Sequence, residues 1–168
     1  MKDVYLNFAN NSPLNSVVLI DGKKLKATKN EQGNQMYHYQ TEKESVNVKI
    51  YSYTEMSSKL WYFFSILYFF ISVFGIFDAR PKKNGMSLKA EYNYKISEDK
   101  NFITISYNPI QLGKPAITSK SELEEMEITN EFFVDQLLVK RYKRAKLIRM
   151  LILLTLIVTG ITLLFVLL

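Results

Sequence analysis

Residues 147–168 read LIRMLILLTLIVTGITLLFVLL, and Arg149 is their only charge. A helix through such a stretch has no polar side to turn towards water, so it belongs either in a large core or in lipid. The part after Arg149 covers about 28 Å of helix, close to the hydrocarbon thickness of a bilayer. A core helix rarely lacks a polar side over so many turns, and the expectation is therefore a C-terminal transmembrane helix. Arg149 lies one turn inside its start, where a long cationic side chain can snorkel to the head groups.

The charge pattern points the same way. The chain carries 22 Lys and Arg against 16 Asp and Glu, a net +6. Lys140, Arg141, Lys143, Arg144, Lys146 and Arg149 crowd the start of the apolar stretch. Each is expected to gain about 1 kcal/mol beside anionic head groups. These six are the candidate lipid head-group contacts; nucleic acid is not an expected partner. Because basic flanks stay on the cytoplasmic side, the polar part of the chain is expected there and the C-terminus outside, as in a tail-anchored protein. The opening MKDVYLNF lacks the apolar run of a cleavable signal, so insertion is expected to be directed from within. Richness in Lys, Asn and Ile leans towards a bacterial plasma membrane.

A second apolar segment, 60–77, reads LWYFFSILYFFISVFGIF, and nine of its eighteen residues are aromatic. Eighteen residues only just span a bilayer, and Trp and Tyr prefer the head-group zone. Trp61 and Tyr62 are the expected interfacial anchors. Basic residues lie on both sides (Lys59; Arg80, Lys82, Lys83), which leaves orientation open between a full span and a re-entrant or interfacial segment.

Around this segment the polar sequence alternates as strands do. Val4, Leu6 and Phe8 share one face. Val17–Ile20 leads into Asp21-Gly22, a strong hairpin dipeptide, and then Lys24–Ala27. Met36–Gln40 is a further run, and Val46, Val48 and Ile50 another. Leu88, Ala90, Tyr92, Tyr94 and Ile96 share a face, followed by Ile103, Ile105 and Tyr107 in what looks like the clearest hairpin of the chain. The count is six or seven strands, which suits one small sandwich or open barrel. A lone hairpin is marginal in water, so strands 45–54 and 87–97 are expected to pair and to carry the aromatic segment as an insertion between them. That favours both flanks on one side of the membrane.

The expected division is a mainly β domain from 1–57 plus 86–108, a membrane-embedded segment 58–85, a linker 109–120, an amphipathic basic helix 121–146 and the transmembrane helix 147–168. The helix start is read from Ser121 and Glu124, a capping-box spacing.

Chemistry is thinly provided. The chain has no Cys, and its one histidine, His38, is expected on a strand surface. Glu122, Glu124, Glu125 and Glu127 fit the dipole of a helix start better than a metal site. The six glycines are scattered and form no phosphate loop. No catalytic, cofactor or metal residues are assigned, and an enzyme is not expected. In the apolar segments, Ser65, Tyr68, Ser72 and Gly75 fall on one stripe, and Thr155, Thr159, Gly160 and Thr162 on another, as helix packing in lipid would use. Ser and Thr bonding back to their own helix is the alternative. The functional expectation is a non-catalytic membrane-anchored interaction module or accessory subunit, partnered by anionic lipid and by other membrane subunits or itself. The alternative is an oligomerising, membrane-perturbing effector of toxin or anti-phage defence type with a sensing β-domain.

Overall fold

A computed structural model describes residues 1–30, 33–73 and 85–167. The chain is mostly β: its described residues form ten strands in two five-stranded sheets, with a long apolar helix at the C-terminal end. In chain order these are β1 (Lys2–Phe8), β2 (Ser16–Ile20), β3 (Lys23–Lys24), β4 (Thr28–Lys29), β5 (Gln35–Thr41) and β6 (Ser45–Ser52). A 3-10 turn (Glu55–Ser57) and helix α1 (Trp61–Val73) follow, then β7 (Met86–Lys95), β8 (Lys100–Tyr107), β9 (Ile117–Ser121), β10 (Glu125–Val134) and helix α2 (Gln136–Leu167).

The strands and the helices form separate compact units, Met1–Tyr53 with Ser87–Phe133 and Thr54–Met86 with Val134–Leu168. The first is a β-sandwich. One sheet runs β4-β5-β1-β8-β9 and the other β10-β7-β6-β2-β3. Val4, Leu6, Phe8, Ile103, Ile105 and Ile117 of one, and Ile20, Val46, Val48, Ile50, Ala90 and Tyr94 of the other, are each no more than 1% exposed. The period-2 alternation thus delivers one buried face per sheet. Asp21 and Gly22 link β2 to β3 as a two-residue turn, both with positive φ (49° and 76°), the backbone that a primed hairpin turn demands. Burial works against the charge of Asp21, but hydrogen bonds from Lys43 Nζ (2.8 Å) and the Asn47 amide (3.0 Å) outweigh it and hold the carboxyl below its usual range.

Strands β6 and β7 pair antiparallel from Ser45↔Lys95 to Tyr51↔Lys89, so residues 53–85 are inserted between two neighbours of one sheet. The Asp135 amide donates to Gly85 O (2.9 Å) and the Lys95 amide to Glu124 O (2.9 Å), so β10 runs antiparallel to β7.

Three expectations need correction. β7 and β8 are not a hairpin: β7 pairs with β6, whereas β8 pairs in parallel with β1 and antiparallel with β9, in the other sheet. Alternation tells which face of a strand is buried and is silent about its neighbour. The predicted linker and basic helix over 109–146 divide differently. Residues 117–121 and 125–134 are strands, and the helix starts at Gln136. Ser121 Oγ donates to Leu123 O (3.4 Å) and Glu125 Oε2 (3.3 Å), closing a turn between strands instead of capping a helix. Asp135 is the helix cap, its Oδ1 accepting the amides of Leu137 (2.8 Å) and Leu138 (3.2 Å). The strand count therefore rises from six or seven to ten, through β9, β10 and the two-residue β3 and β4.

Buried tyrosines make the sandwich sensitive to base. Burial pushes the Tyr94 phenol up to about 12, with Glu125 and Glu127 adding to the rise, and it raises Tyr37 and Tyr107 as well. A raised folded value contributes stability that is intact below the unfolded value near 10 and is lost as pH climbs towards 12. Phenolate absorbance and far-UV dichroism should therefore change together in an alkaline titration. Ionisation of these tyrosines with the sheets still intact would contradict the packing.

Candidate membrane-anchoring site

The helical unit is built on a small apolar cluster. Leu138, Tyr142 and Ala145 lie at i, i+4 and i+7 on α2 and so share one face; all three are buried. Met56 of the 3-10 turn and Trp61 of α1 pack against them, with Phe64 and Tyr68 at the margin. Ala145 and Ser65, 1% exposed each, are the small residues of this packing. Ser65 Oγ donates to Trp61 O (2.8 Å), so the hydroxyl enters the apolar contact already satisfied.

Arg141, one position before Tyr142, closes the cluster. Its Nη1 donates to Met56 O (2.7 Å) and Ser58 O (3.2 Å), and its guanidinium lies 5.8 Å from the centre of the Trp61 ring. A planar cation on an aromatic face, with backbone carbonyls as acceptors, fixes the approach to α1. Arg141 is thus committed within the protein. Lys140, Lys143, Arg144 and Lys146 are exposed, and Arg149 is half-buried.

Beyond this point α2 changes character. From Leu147 to Leu167 its side chains are exposed except for half-buried Ile148, Arg149 and Ile152. Leu154, Ile157, Leu163 and Phe165 are 59%, 57%, 55% and 80% exposed. Its most apolar stretch has a mean hydropathy of 2.8, and none of that stretch is buried among the described residues. This is the one described helix long and apolar enough to cross a membrane. Thr155, Thr159 and Thr162 donate to Leu151 O (2.9 Å), Thr155 O (2.8 Å) and Val158 O (2.9 Å), so the hydroxyls of that stripe are satisfied by their own helix. Space around Gly160 is open.

Compared with protein-family models, with curated proteins and with solved structures, the chain matches none.

The described part of helix α1 has thirteen residues, about 20 Å. Trp61, Ser65 and Phe69 are buried, whereas Tyr62, Phe63, Ile66, Leu67 and Phe70 are 41–61% exposed. Its open face is thus apolar apart from the Tyr62 hydroxyl. Of the two expected anchors, Tyr62 lies on this face, and Trp61 is turned into the cluster at 6% exposure. Residues 74–84, Gly75 among them, and the side chain of Ser72 lie outside the described residues.

The remaining candidates sit in the sandwich. His38 is exposed on β5, its Nε2 2.8 Å from Asp3 Oδ1 and its ring stacked on Tyr5. The hydrogen bond to His38, followed by one from Gln40, lowers the Asp3 carboxyl. The acids expected at a helix start lie on β10 and the turn before it. Tyr92 donates to Glu127 Oε2, Ser119 Oγ to Glu125 Oε2 (2.7 Å), and Lys95 Nζ to Glu124 Oε2 (3.0 Å). Asn130 Oδ1 accepts the amides of Ala116 (2.9 Å) and Ile117 (3.0 Å), and its Nδ2 donates to Ile117 O (2.9 Å). Side chains thus join the open edges of the two sheets where backbone pairing stops. Glu127 and Glu125 are engaged in this seam, and no cluster of metal-ligating side chains occurs among the described residues.

Proposed function

We propose that this chain is a non-catalytic, membrane-anchored interaction module, an accessory subunit whose β-sandwich is held at the bilayer surface. The unburied apolar length of α2 behind its basic turn carries the reading. Lipid is the covering that such a surface calls for, since it exceeds any patch a soluble monomer leaves open. Lys140, Lys143, Arg144 and Lys146 would lie among anionic head groups, with the sandwich on the cytoplasmic side of a bacterial plasma membrane. Arg141 drops out of that lipid-facing set. The apolar open face of α1 supports an interfacial or re-entrant second contact over a second crossing, because a helix packed on one side and apolar on the other suits the plane of the membrane. No nucleic acid or cofactor enters this reading.

The test is expression of the tagged chain at low level, gentle detergent extraction and mass spectrometry of what co-purifies. A stoichiometric membrane protein retained by the wild type and lost on replacing sandwich surface residues supports the module. Homo-oligomers with loss of membrane potential on induction would overturn it in favour of a membrane-perturbing effector.

A further inference from the structure

The outer face of the sheet β4-β5-β1-β8-β9 carries a column of rings that stops short. His38, Tyr5 and Phe102 stand directly opposite one another on β5, β1 and β8. Tyr5 stacks on His38 with centres 4.8 Å apart and planes 13° from parallel, and on Phe102 at 5.1 Å and 15°. All three point away from the core, since Val4, Leu6 and Ile103 fill the opposite face. The next place in the row falls just past the end of β9: the register sets Ser121 opposite Ile103, and carried on by one residue it puts Glu122 opposite Phe102. No ring stands there among the described residues. Phe102 is 58% exposed, and it forms a wall of an open cavity of about 640 Å³.

Leu123 adds one further apolar wall, and the remaining walls are polar and balanced in charge. Lys100 and Lys120 bring only donors and Glu98 and Glu122 only acceptors, whereas the Ser121 hydroxyl already donates to Leu123 O and Glu125 Oε2. No ion pair ties these four charges among the described residues. The floor is held by Asn101, 2% exposed, whose Nδ2 donates to Glu98 O (2.6 Å) and Asp3 O (3.3 Å). The cavity therefore exists before any ligand arrives.

We infer that this cavity binds a purine-like nucleobase, which continues the column by stacking on Phe102 while its edge meets the lysines and carboxylates. A planar ring extends near-parallel rings with little loss of geometry. A purine edge carries both acceptors and donors, matching ammonium and carboxylate together. The two positive and two negative charges cancel, so the site favours an uncharged nucleoside over a polyphosphate. Saccharides also carry donors and acceptors, but they offer no flat π-face to a column of this kind.

The test is saturation-transfer NMR on the full chain in detergent micelles, with guanosine, adenosine and methyl glucoside as probes. Saturation should reach the base protons of a purine nucleoside most strongly. The apparent affinity should fall roughly tenfold or more in Phe102→Ala and stay near wild type in Phe102→Tyr. Phe102 is exposed, so its loss leaves the sandwich core intact, which far-UV dichroism of the variant checks. Absence of transfer from both nucleosides, transfer unchanged in Phe102→Ala, or transfer from methyl glucoside alone would each overturn the assignment.

Discussion

The double substitution Ile157→Asp with Ile161→Asp should move the protein from the membrane pellet to the soluble fraction, with its sandwich still folded. The two side chains are 57% and 49% exposed and one turn apart, near the middle of the bare part of α2. An acidic residue at the centre of a spanning helix costs about 3 kcal/mol, so the pair opposes insertion by about 6 kcal/mol. That outweighs what the basic turn contributes at roughly 1 kcal/mol per charge. The sandwich has its own core and should keep its far-UV dichroism. Fractionation in carbonate reads the effect, and a variant that stays in the pellet would mean that α1 or a partner holds the protein there.

The second large effect is expected in the helical cluster. Trp61 is the only tryptophan of the chain, so its fluorescence reports on this place alone. Tyr142→Ala removes a side chain that is 6% exposed beside Met56, Trp61 and Leu138. A large-to-small change of this kind costs about 3–5 kcal/mol. Arg141→Ala leaves Met56 O and Ser58 O without their donor and uncovers the Trp61 ring, for about 1–3 kcal/mol. Both variants should shift Trp61 emission to the red and raise its quenching by acrylamide, Tyr142→Ala more strongly. Hydrogen exchange should quicken over residues 54–73 and stay unchanged in β1, β6 and β8. A spectrum indifferent to Arg141→Ala would remove the guanidinium from its place over the ring.

Much of this arrangement is legible in the residues. Val46, Val48 and Ile50 against Leu88, Ala90 and Tyr92 carry the alternation that a half-buried pair must have, and β6 and β7 pair where it lies. Asp21-Gly22 turns the chain because Gly tolerates positive φ freely and Asp does so more readily than most. The unbroken Leu–Ile–Thr run after Arg149 leaves no reading but an apolar helix. What misled was local. Ser121 and Glu124 have capping-box spacing, yet β-hydroxyl and carboxylate groups serve strand turns equally well, and here Ser121 and Glu125 are bonded to each other. The true cap, Asp135, stands just before the Leu138–Tyr142–Ala145 spacing, and that combination was the better signal. Arg141 reads as one of six cations in a row; only the fold reveals that it is spoken for. Neither the parallel pairing of β1 with β8 nor the ring column across β5, β1 and β8 follows from alternation, since both depend on which strands become neighbours.

Site-directed cysteine labelling in intact cells tests the central claim most directly, because the chain has no cysteine of its own. Asn11→Cys and Lys114→Cys report exposed positions on either side of the aromatic segment, both in the sandwich, and Leu167→Cys reports the far end of α2. A membrane-impermeant maleimide should leave Asn11→Cys and Lys114→Cys unlabelled until the cells are lysed, and should label Leu167→Cys from outside. Labelling of Asn11→Cys and Lys114→Cys on opposite sides, or protection of Leu167→Cys along with them, would contradict a single sandwich anchored by a helix that crosses the membrane.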